Sequence, residues 1–590
     1  MRSKSKPGAR RVERGPLEPE PAGMPEIKPA VEPVESAEPE RAAEPAGEGT
    51  LPEPESKPRR VTLALVVVPI ALLILAGLLV DARGGYSLRR NLDPEYCYLL
   101  NSLSLLTFHA PGHIDHPGTT VQLLGAGVIF FKWFPAAMLG NWIPMQEAVL
   151  RDPESFLHAI NFVLNLLIAA SVFCAGRRMY RVSGSLLAAI VLQASIFLFQ
   201  ESVLTLTRVS PEPLLIAVAY SMACLIISGL VTEEGPSAIS LGALFGFGVV
   251  TKVTFLPWVG LVALLRRWRE RAWFIVAAAA ACVLFTLPIF SKLPVVFHWL
   301  ISLTTHTGYY GQGPSGFMAP AMVTDSANRL FTAEPSMFYW LAYYIATAVA
   351  IMLASRKSRS RLTSATIRLL WVGCVCMIIQ IAMAVKSLVA ARYVLPALLI
   401  MPLLNCFLAW LLASGESLNR ATRFGIALVG SGLLLASIGS TASRVKQWAV
   451  DSREYQAGIN KLSAYRLGLG DCMVIGYYTS SVGEFALTFG GEYTEGVHGK
   501  VLESIYPDRI FLHGNRLLSF TLADREERLR RMLSEGRCVL IQGTPIVRGP
   551  GGLPDEFGVT EVARGADEVL YRMSLASSAP SVPGVHGNGK

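Results

Sequence analysis

Charge is scarce in this chain: Asp, Glu, Lys and Arg make up 16% of 590 residues, against 52% hydrophobic ones. That balance excludes an ordinary soluble globular protein of this size. The nine cysteines show no metal-type spacing with histidine, and most fall in apolar runs, where they read as packing residues. No Gly-rich loop suited to cradling phosphates stands out. Nor is there a short basic start followed by an early apolar core, so no cleavable signal is expected and the first apolar run reads as a retained anchor. The formal net charge of +9 belongs mostly to arginines in short loops between apolar runs, so no nucleic-acid partner follows from it.

What the chain has instead is a series of apolar runs of ~20 residues, each long enough to cross a ~30 Å hydrocarbon layer as a helix. The fold class expected is a polytopic α-helical membrane protein of about eleven spans, with a small C-terminal α/β domain. Residues 1–60 are rich in Pro, Glu, Ala and Arg and contain no aromatic residue; such a segment cannot bury enough surface to fold and reads as a disordered cytoplasmic tail. The first anchor is Val61 to Val80, and Arg59 and Arg60 before it mark the cytoplasmic side. Asp81 to Pro117 is then outside, within an outer loop 81–155.

The apolar run at 118–134 poses a parity question. Read as a full span, it would put every later basic loop outside. Read as a juxtamembrane helix, it lets spans near 156–175, 184–204 and 213–231 place Arg177, Arg178 and Arg181 inside. The same parity puts Arg266, Arg267, Arg269 and Arg271 inside, then Arg356, Lys357, Arg359 and Arg361, then Arg420 and Arg423. Four basic clusters agree with the juxtamembrane reading, and Glu233 and Glu234 in an inner loop weigh little against it. The reading requires Ala238 to Leu265 to be a hairpin or re-entrant pair turning near Thr251 and Lys252. Further spans near 272–290, 336–354, 367–385, 393–413 and 423–441 complete the domain at 61–441, with a second outer loop at 291–335.

Residues 442–575 alternate β-rich runs (Cys472 to Tyr478, Arg509 to Leu512, Cys538 to Gln542) with helical stretches such as Ala523 to Ser534, which reads as an outer α/β domain followed by a tail at 576–590. Cys472 and Cys538 each open a predicted strand. They are either a disulfide joining adjacent strands or two separate buried thiols.

Sorted by side, the polar residues are uneven. Asp93, Glu95, His113, Asp115, His116, Arg208, Glu212, Lys252, His306, Lys386 and Arg392 all fall at outer loops or outer span ends. In NLDPEYCY, Pro94 restricts Asp93 to an extended conformation and two carboxylates flank it; a carboxylate near a low-dielectric boundary can act as a general base toward a hydroxyl. In HAPGHIDHPGTTVQ, His113, Asp115 and His116 could ligate a cation, contact phosphate or orient one another, and the pattern is too loose to name a metal. No cofactor is therefore assigned, with a divalent metal left open. TRVSPEP adds Arg208 and Glu212, and TKVTF adds Lys252; cations of this kind are what an anionic phosphate needs. THTGYYGQGPSG places Tyr309 and Tyr310 in a Gly-rich loop able to close as a lid or serve as a plain connector.

In this order the pieces resemble the polytopic glycosyltransferases of the GT-C fold, specifically relatives of protein O-mannosyltransferases and of the lipid A aminoarabinose transferase. That family's pattern runs from an acidic pair in the first outer loop through acid-Lys-Pro-Pro, an Asp-Pro turn and Thr-Lys-Gly to Arg-Tyr-x-x-Pro. Here it stands as Asp93/Glu95, Asp115-His116-Pro117-Gly118, Glu212-Pro213, Thr251-Lys252-Val253 and Arg392-Tyr393-Val394-Leu395-Pro396, over about residues 60 to 415. His116 replaces the family's Lys, Gly118 its second Pro, Glu212 its Asp and Val253 its Gly, so the donor contacts differ.

The resemblance implies sugar transfer, with inversion, from a polyprenyl phosphate carrier to a lipid, polysaccharide or protein acceptor at the outer face of a bacterial inner membrane. Asp93 or Glu95 would take the acceptor's proton, and Lys252 and Arg392, with His116 next, would stabilise the departing phosphate; Asp115, Glu212, Tyr309, Tyr310 and Tyr393 would complete the substrate site. Two other classes compete. A transporter is expected to show repeated halves and charges near the midplane, whereas these crowd one face. A sensor or scaffold binding through its C-terminal domain would need no outer carboxylates and cations.

Overall fold

The structure, a computed structural model, describes residues 57–88, 93–140, 142–231, 235–355, 360–387, 390–415, 418–477, 480–507, 509–513, 516–520, 525–545 and 556–575. The expectations for residues 1–56 and 576–590, and for Glu233, Glu234, Arg356, Lys357 and Arg359, lie outside them.

The first helix, α1 (Lys57–Arg83), starts four residues before the predicted anchor. Its exposed Leu63, Val67, Ile70, Ile74 and Leu78 recur every three to four residues, while Leu65, Leu72, Ala76 and Leu79 are buried. A stripe this apolar on the outside of the fold suits lipid, not water. After α1 come α2 (Glu95–Leu106), α3 (Thr119–Met138), α4 (Met145–Arg151) and α5 (Pro153–Ser183). α6 (Leu186–Ala194) continues as a 3₁₀ turn to Leu198, and the chain then bends by 84° into α7 (Gln200–Leu204). α8 (Pro211–Val231), α9 (Ala238–Thr251), a 3₁₀ segment Val253–Leu264 and α10 (Trp268–Thr286) follow. The expected loop at 291–335 holds two helices, α11 (Leu293–Thr305) and α12 (Pro320–Ala333), and the bundle closes with α13 (Pro335–Ala354), α14 (Arg361–Ser387), α15 (Leu395–Ser414) and α16 (Arg420–Gly468).

Nine of these helices, among the described residues, are long and apolar enough to cross a membrane, so the chain is a multi-pass membrane protein. α3 is one of the nine by composition, yet its contacts put both of its ends at one end of the bundle. Thr119 Oγ1 donates to the Phe285 carbonyl (2.6 Å) in the last turn of α10, and Thr120 Oγ1 to Thr251 Oγ1 (2.8 Å) at the end of α9. Lys132, twelve residues beyond Thr120, bonds Ser155 in the first turn of α5. A crossing helix would carry Lys132 about 18 Å away along the bundle.

The segment 238–265 is a hairpin with Lys252 at its tip. α9 runs parallel to α10: a Cβ at Gly242 would lie 2.2 Å from the Phe274 carbonyl oxygen, and one at Gly246 2.3 Å from that of Ala278. This small-xxx-small face lets the two backbones touch. The chain then turns at Lys252, and the returning 3₁₀ segment leans on α14 and α15, Trp258 Nε1 donating to the Pro396 carbonyl (2.9 Å). α15 is buried along nearly its whole length and forms the centre of the bundle.

α16 runs through the expected boundary at 441/442 without a break, 49 residues in all. Beyond it lie β1 (Met473–Tyr477), α17 (Gly483–Glu492), α18 (Gly499–Ile505), β2 (Phe511–His513), β3 (Arg516–Leu518), α19 (Arg525–Ser534), β4 (Val539–Gly543), β5 (Phe557–Gly565) and β6 (Glu568–Leu575). They form one sheet in the order β3-β2-β1-β4-β6-β5, β1 lying parallel to both β2 and β4 and the other pairs antiparallel. Cys472 and Cys538, just before the paired β1 and β4, are joined as a disulfide with Cα atoms 4.6 Å apart. The buried carboxylate of Glu568 accepts from Tyr455 of α16 (2.7 Å), from Ser481 N (2.9 Å) and from Gln542 Nε2 (3.0 Å), pinning the sheet to the helix. Phe485 and Ala486 share an apolar core with Leu99, Leu103, Tyr455 and Ile459, so the C-terminal domain seats directly on α2.

Candidate active site

At the end of the bundle that carries the C-terminal domain, a cavity of about 500 Å³ is lined by Asp93, Tyr98, His113, Asp115, His116, Glu212, Lys252, His298, Trp299, Tyr310, Arg392, Tyr393 and Tyr493. Eight separate stretches of chain contribute to it. Eight of the ten residues picked from sequence are among its lining; Glu95 and Tyr309 are not.

Asp93 and Glu95 have opposite surroundings although one residue separates them. The Asp93 side chain is 54% exposed, with its nearest charged partner, Arg392 Nη2, 3.9 Å from Oδ2. Glu95 opens α2 and turns inward: its Oε1 accepts from Arg83 Nη2 at 2.6 Å, and both side chains are at most 3% exposed. Arg83 in turn bonds the Thr207 carbonyl and lies over the Tyr86 ring. Glu95 therefore ties the end of α1 to the first loop, and Asp93 is the carboxylate of the pair that reaches the cavity. Glu154 completes this support, accepting from Tyr86 N (2.7 Å), Ser87 N (2.6 Å) and Tyr96 Oη (2.9 Å).

The two histidines are held by residues the sequence did not single out. Asn101 Oδ1 accepts from the Gly112 and His113 amides (2.7 and 3.1 Å), and Gln122 Nε2 donates to the His113 carbonyl (2.8 Å). Gly118 fixes the next turn: its φ is +64°, a Cβ there would come within 2.9 Å of the Tyr98 ring, and its amide donates to the Val250 carbonyl (3.0 Å). The His113 ring stands edge-on between Tyr98 and Tyr493, and the His116 ring packs against Trp299 and Tyr393. Burial holds both imidazoles below the usual histidine range, the neighbouring Lys252 ammonium depressing His116 further, while Asp115 opposes the shift at His113. Both are neutral at neutral pH, and neither Nδ1 has a hydrogen-bond partner in the described structure. No group of three or more His, Cys, Asp or Glu side chains is arranged to hold a metal ion, among the described residues.

Beside His116 the hairpin tip delivers Lys252, paired directly with Glu212 in the first turn of α8, and both side chains are at most 3% exposed. The ammonium also lies 4.3 Å from the centre of the Tyr393 ring. Arg392 sits above the same ring at 5.4 Å. The cavity thus holds two cations against one aromatic ring, one neutralised by a buried carboxylate and one close to the exposed Asp93.

The segment 306–316 is a tight turn bound to itself, with Thr307 N donating to the Pro314 carbonyl (2.9 Å) and Gly313 N to that of Thr307 (2.7 Å). It turns Tyr310 toward the cavity, where its hydroxyl meets that of Tyr393 at 2.9 Å. Tyr309 points away, its hydroxyl 3.4 Å from Asp325 Oδ2. Lys386 bonds the Leu303 carbonyl and supports this turn, and neither it, His306 nor Arg208 lines the cavity. His298 and Trp299 come from α11, inside a stretch read from sequence as loop. Tyr493 comes from the C-terminal domain, 400 residues from Asp93, with no local pattern to mark it.

No protein-family model and no curated protein sequence matches this chain. Two solved structures are similar to it in outline. The crystal structure of ArnT from Cupriavidus metallidurans bound to undecaprenyl phosphate has a TM-score of 0.45 at 12% identity, over 88% of this chain and 99% of that one. The same protein in the apo state has a TM-score of 0.40, again at 12% identity, over 80% of this chain and 95% of that one.

Proposed function

We propose that this chain is a membrane glycosyltransferase that moves a sugar from a polyprenyl phosphate carrier to a lipid, polysaccharide or protein acceptor, with inversion, at the outer face of a bacterial inner membrane. The observation that carries the reading is the meeting, in one 500 Å³ cavity, of an exposed carboxylate with two cations on an aromatic wall. Those are the groups such a reaction needs on its two sides. Asp93 accepts the proton of the attacking hydroxyl as the bond to the anomeric carbon forms. The bond from that carbon to the carrier oxygen breaks, and its electron pair goes to the phosphate, which gains charge beside Arg392 and Lys252.

Glu212 holds Lys252 in position, and both cations lie against the Tyr393 ring. His116 and His113 present neutral imidazoles to the same space, suited to hydrogen-bonding sugar or phosphate oxygens. Tyr310, Trp299 and Tyr98 supply aromatic surface for a sugar ring. The outward orientation is supported by Arg177, Arg266, Arg361 and Arg420, which lie at helix ends away from the cavity, and by the disulfide on the cavity side, which belongs in an oxidising compartment.

The test is turnover by the full chain in liposomes given radiolabelled polyprenyl phosphate sugars together with envelope lipid, polysaccharide and protein acceptors. Label is expected to leave at least one carrier and to appear in one acceptor, with no transfer from nucleotide sugars. Failure with every lipid carrier, by protein shown to be folded, overturns the reading.

A further inference from the structure

At the end of the bundle away from the cavity, α16 begins with Arg420 and Arg423. They border an open groove of about 590 Å³ whose remaining wall is Leu412, Ala421, Phe424 and Ala427. Leu412 and Ala427 also line a second cavity, of about 360 Å³, that continues between α6, α13, α15 and α16 beneath Trp340, Tyr343 and Leu408. The two spaces share a wall and form one path from the basic mouth into the bundle.

The sequence of α16 contributes to the inner space: Gly430 lines it, and a Cβ there would come within 2.5 Å of the Tyr343 hydroxyl. The polar groups around the inner part are already engaged: Tyr343 Oη donates to the Ile426 carbonyl (3.0 Å), Trp340 Nε1 to Ser437 Oγ (3.0 Å) and Tyr344 Oη to Asn405 Oδ1 (2.8 Å). What that part offers a ligand is therefore apolar surface. The mouth is the reverse, since neither guanidinium has a hydrogen-bond or ion-pair partner among the described residues, and both sit in the first turn of a 49-residue helix. An apolar slot ending in two cations at a positive helix terminus complements an anionic headgroup with a hydrocarbon tail.

We propose that this path binds one anionic phospholipid from the membrane leaflet at that end, with its phosphate on Arg420 and Arg423 and one acyl chain in the cavity beside Tyr343 and Ala427. This lipid would be neither donor nor acceptor, because it enters from the opposite end of the bundle to Asp93.

The experiment is native mass spectrometry of the full chain released from nanodiscs of equal phosphatidylglycerol and phosphatidylcholine. At about fivefold per arginine near the surface, the two cations together should favour a single phosphatidylglycerol adduct by about 25-fold. Arg420→Gln with Arg423→Gln, both at the bundle surface, should bring the two lipids to parity. Ala427→Phe, which fills the shared wall, should remove the adduct with both arginines intact, read only if its melting temperature matches wild type. A wild-type protein without preference, or a preference that survives the double arginine replacement, overturns the proposal.

Discussion

Replacing Asp93 by Asn keeps the size of the side chain and removes its capacity to take a proton. The structure fixes what else the change can do. The ion pair Asp93 makes among the described residues has an N–O distance of 3.9 Å and a carboxylate 54% exposed; a pair of that kind is worth about 0–1 kcal/mol. Folding stability should then move by less than about 1 kcal/mol. Loss of a general base lowers the rate by about 10²–10⁴, equivalent to roughly 3–5 kcal/mol on the barrier.

Glu95→Gln is the matched comparison, since it strands Arg83 in a site where both partners are at most 3% exposed. Breaking a buried pair from one side costs about 3–5 kcal/mol of stability. The assay is transfer from radiolabelled polyprenyl phosphate sugar per folded molecule, alongside thermal unfolding of each variant in the same lipid. Asp93→Asn should lose transfer and keep its melting temperature; Glu95→Gln should lose melting temperature and keep its transfer per folded molecule. Transfer retained by Asp93→Asn, or abolished in a fully folded Glu95→Gln protein, refutes the assignment of roles.

Lys252 and Glu212 should behave as one unit. Either Glu212→Gln or Lys252→Met alone should cost about 3–5 kcal/mol, while the double variant should recover much of that in thermal unfolding and still transfer sugar slowly, because the phosphate has lost a cation. The disulfide closes a loop between residues 66 apart, so Cys472→Ser with Cys538→Ser should lower stability by about 4 kcal/mol on the chain-entropy account. Because Tyr493 reaches the cavity from this domain, transfer should fall in parallel with the domain's unfolding, followed by limited proteolysis.

Much of this arrangement was legible from the chain itself. Twenty-residue apolar runs dictate membrane helices because a backbone in lipid must satisfy its own hydrogen bonds. Basic loops gave a parity in which 118–134 reads as juxtamembrane and Lys252 falls at a hairpin tip; the contacts of Thr119, Thr120 and Lys132 put both ends of α3 at one end of the bundle. Eight of the ten chosen site residues line one cavity because each occupied the same end of a span, and parity alone brings such ends together.

Other features were decided only by the tertiary structure. Asp93 and Glu95 are indistinguishable as letters; the first turn of α2 sends one outward and buries the other against Arg83. Tyr309 and Tyr310 are adjacent, and the turn at 306–316 points only one inward. Tyr493 has no local signature, since its place depends on a 49-residue helix carrying the C-terminal sheet back onto α2. The order of apolar runs and the charge of the loops between them report which end of a span a residue occupies. Which way its side chain points, and what distant segment covers it, is set by packing between elements far apart in the chain.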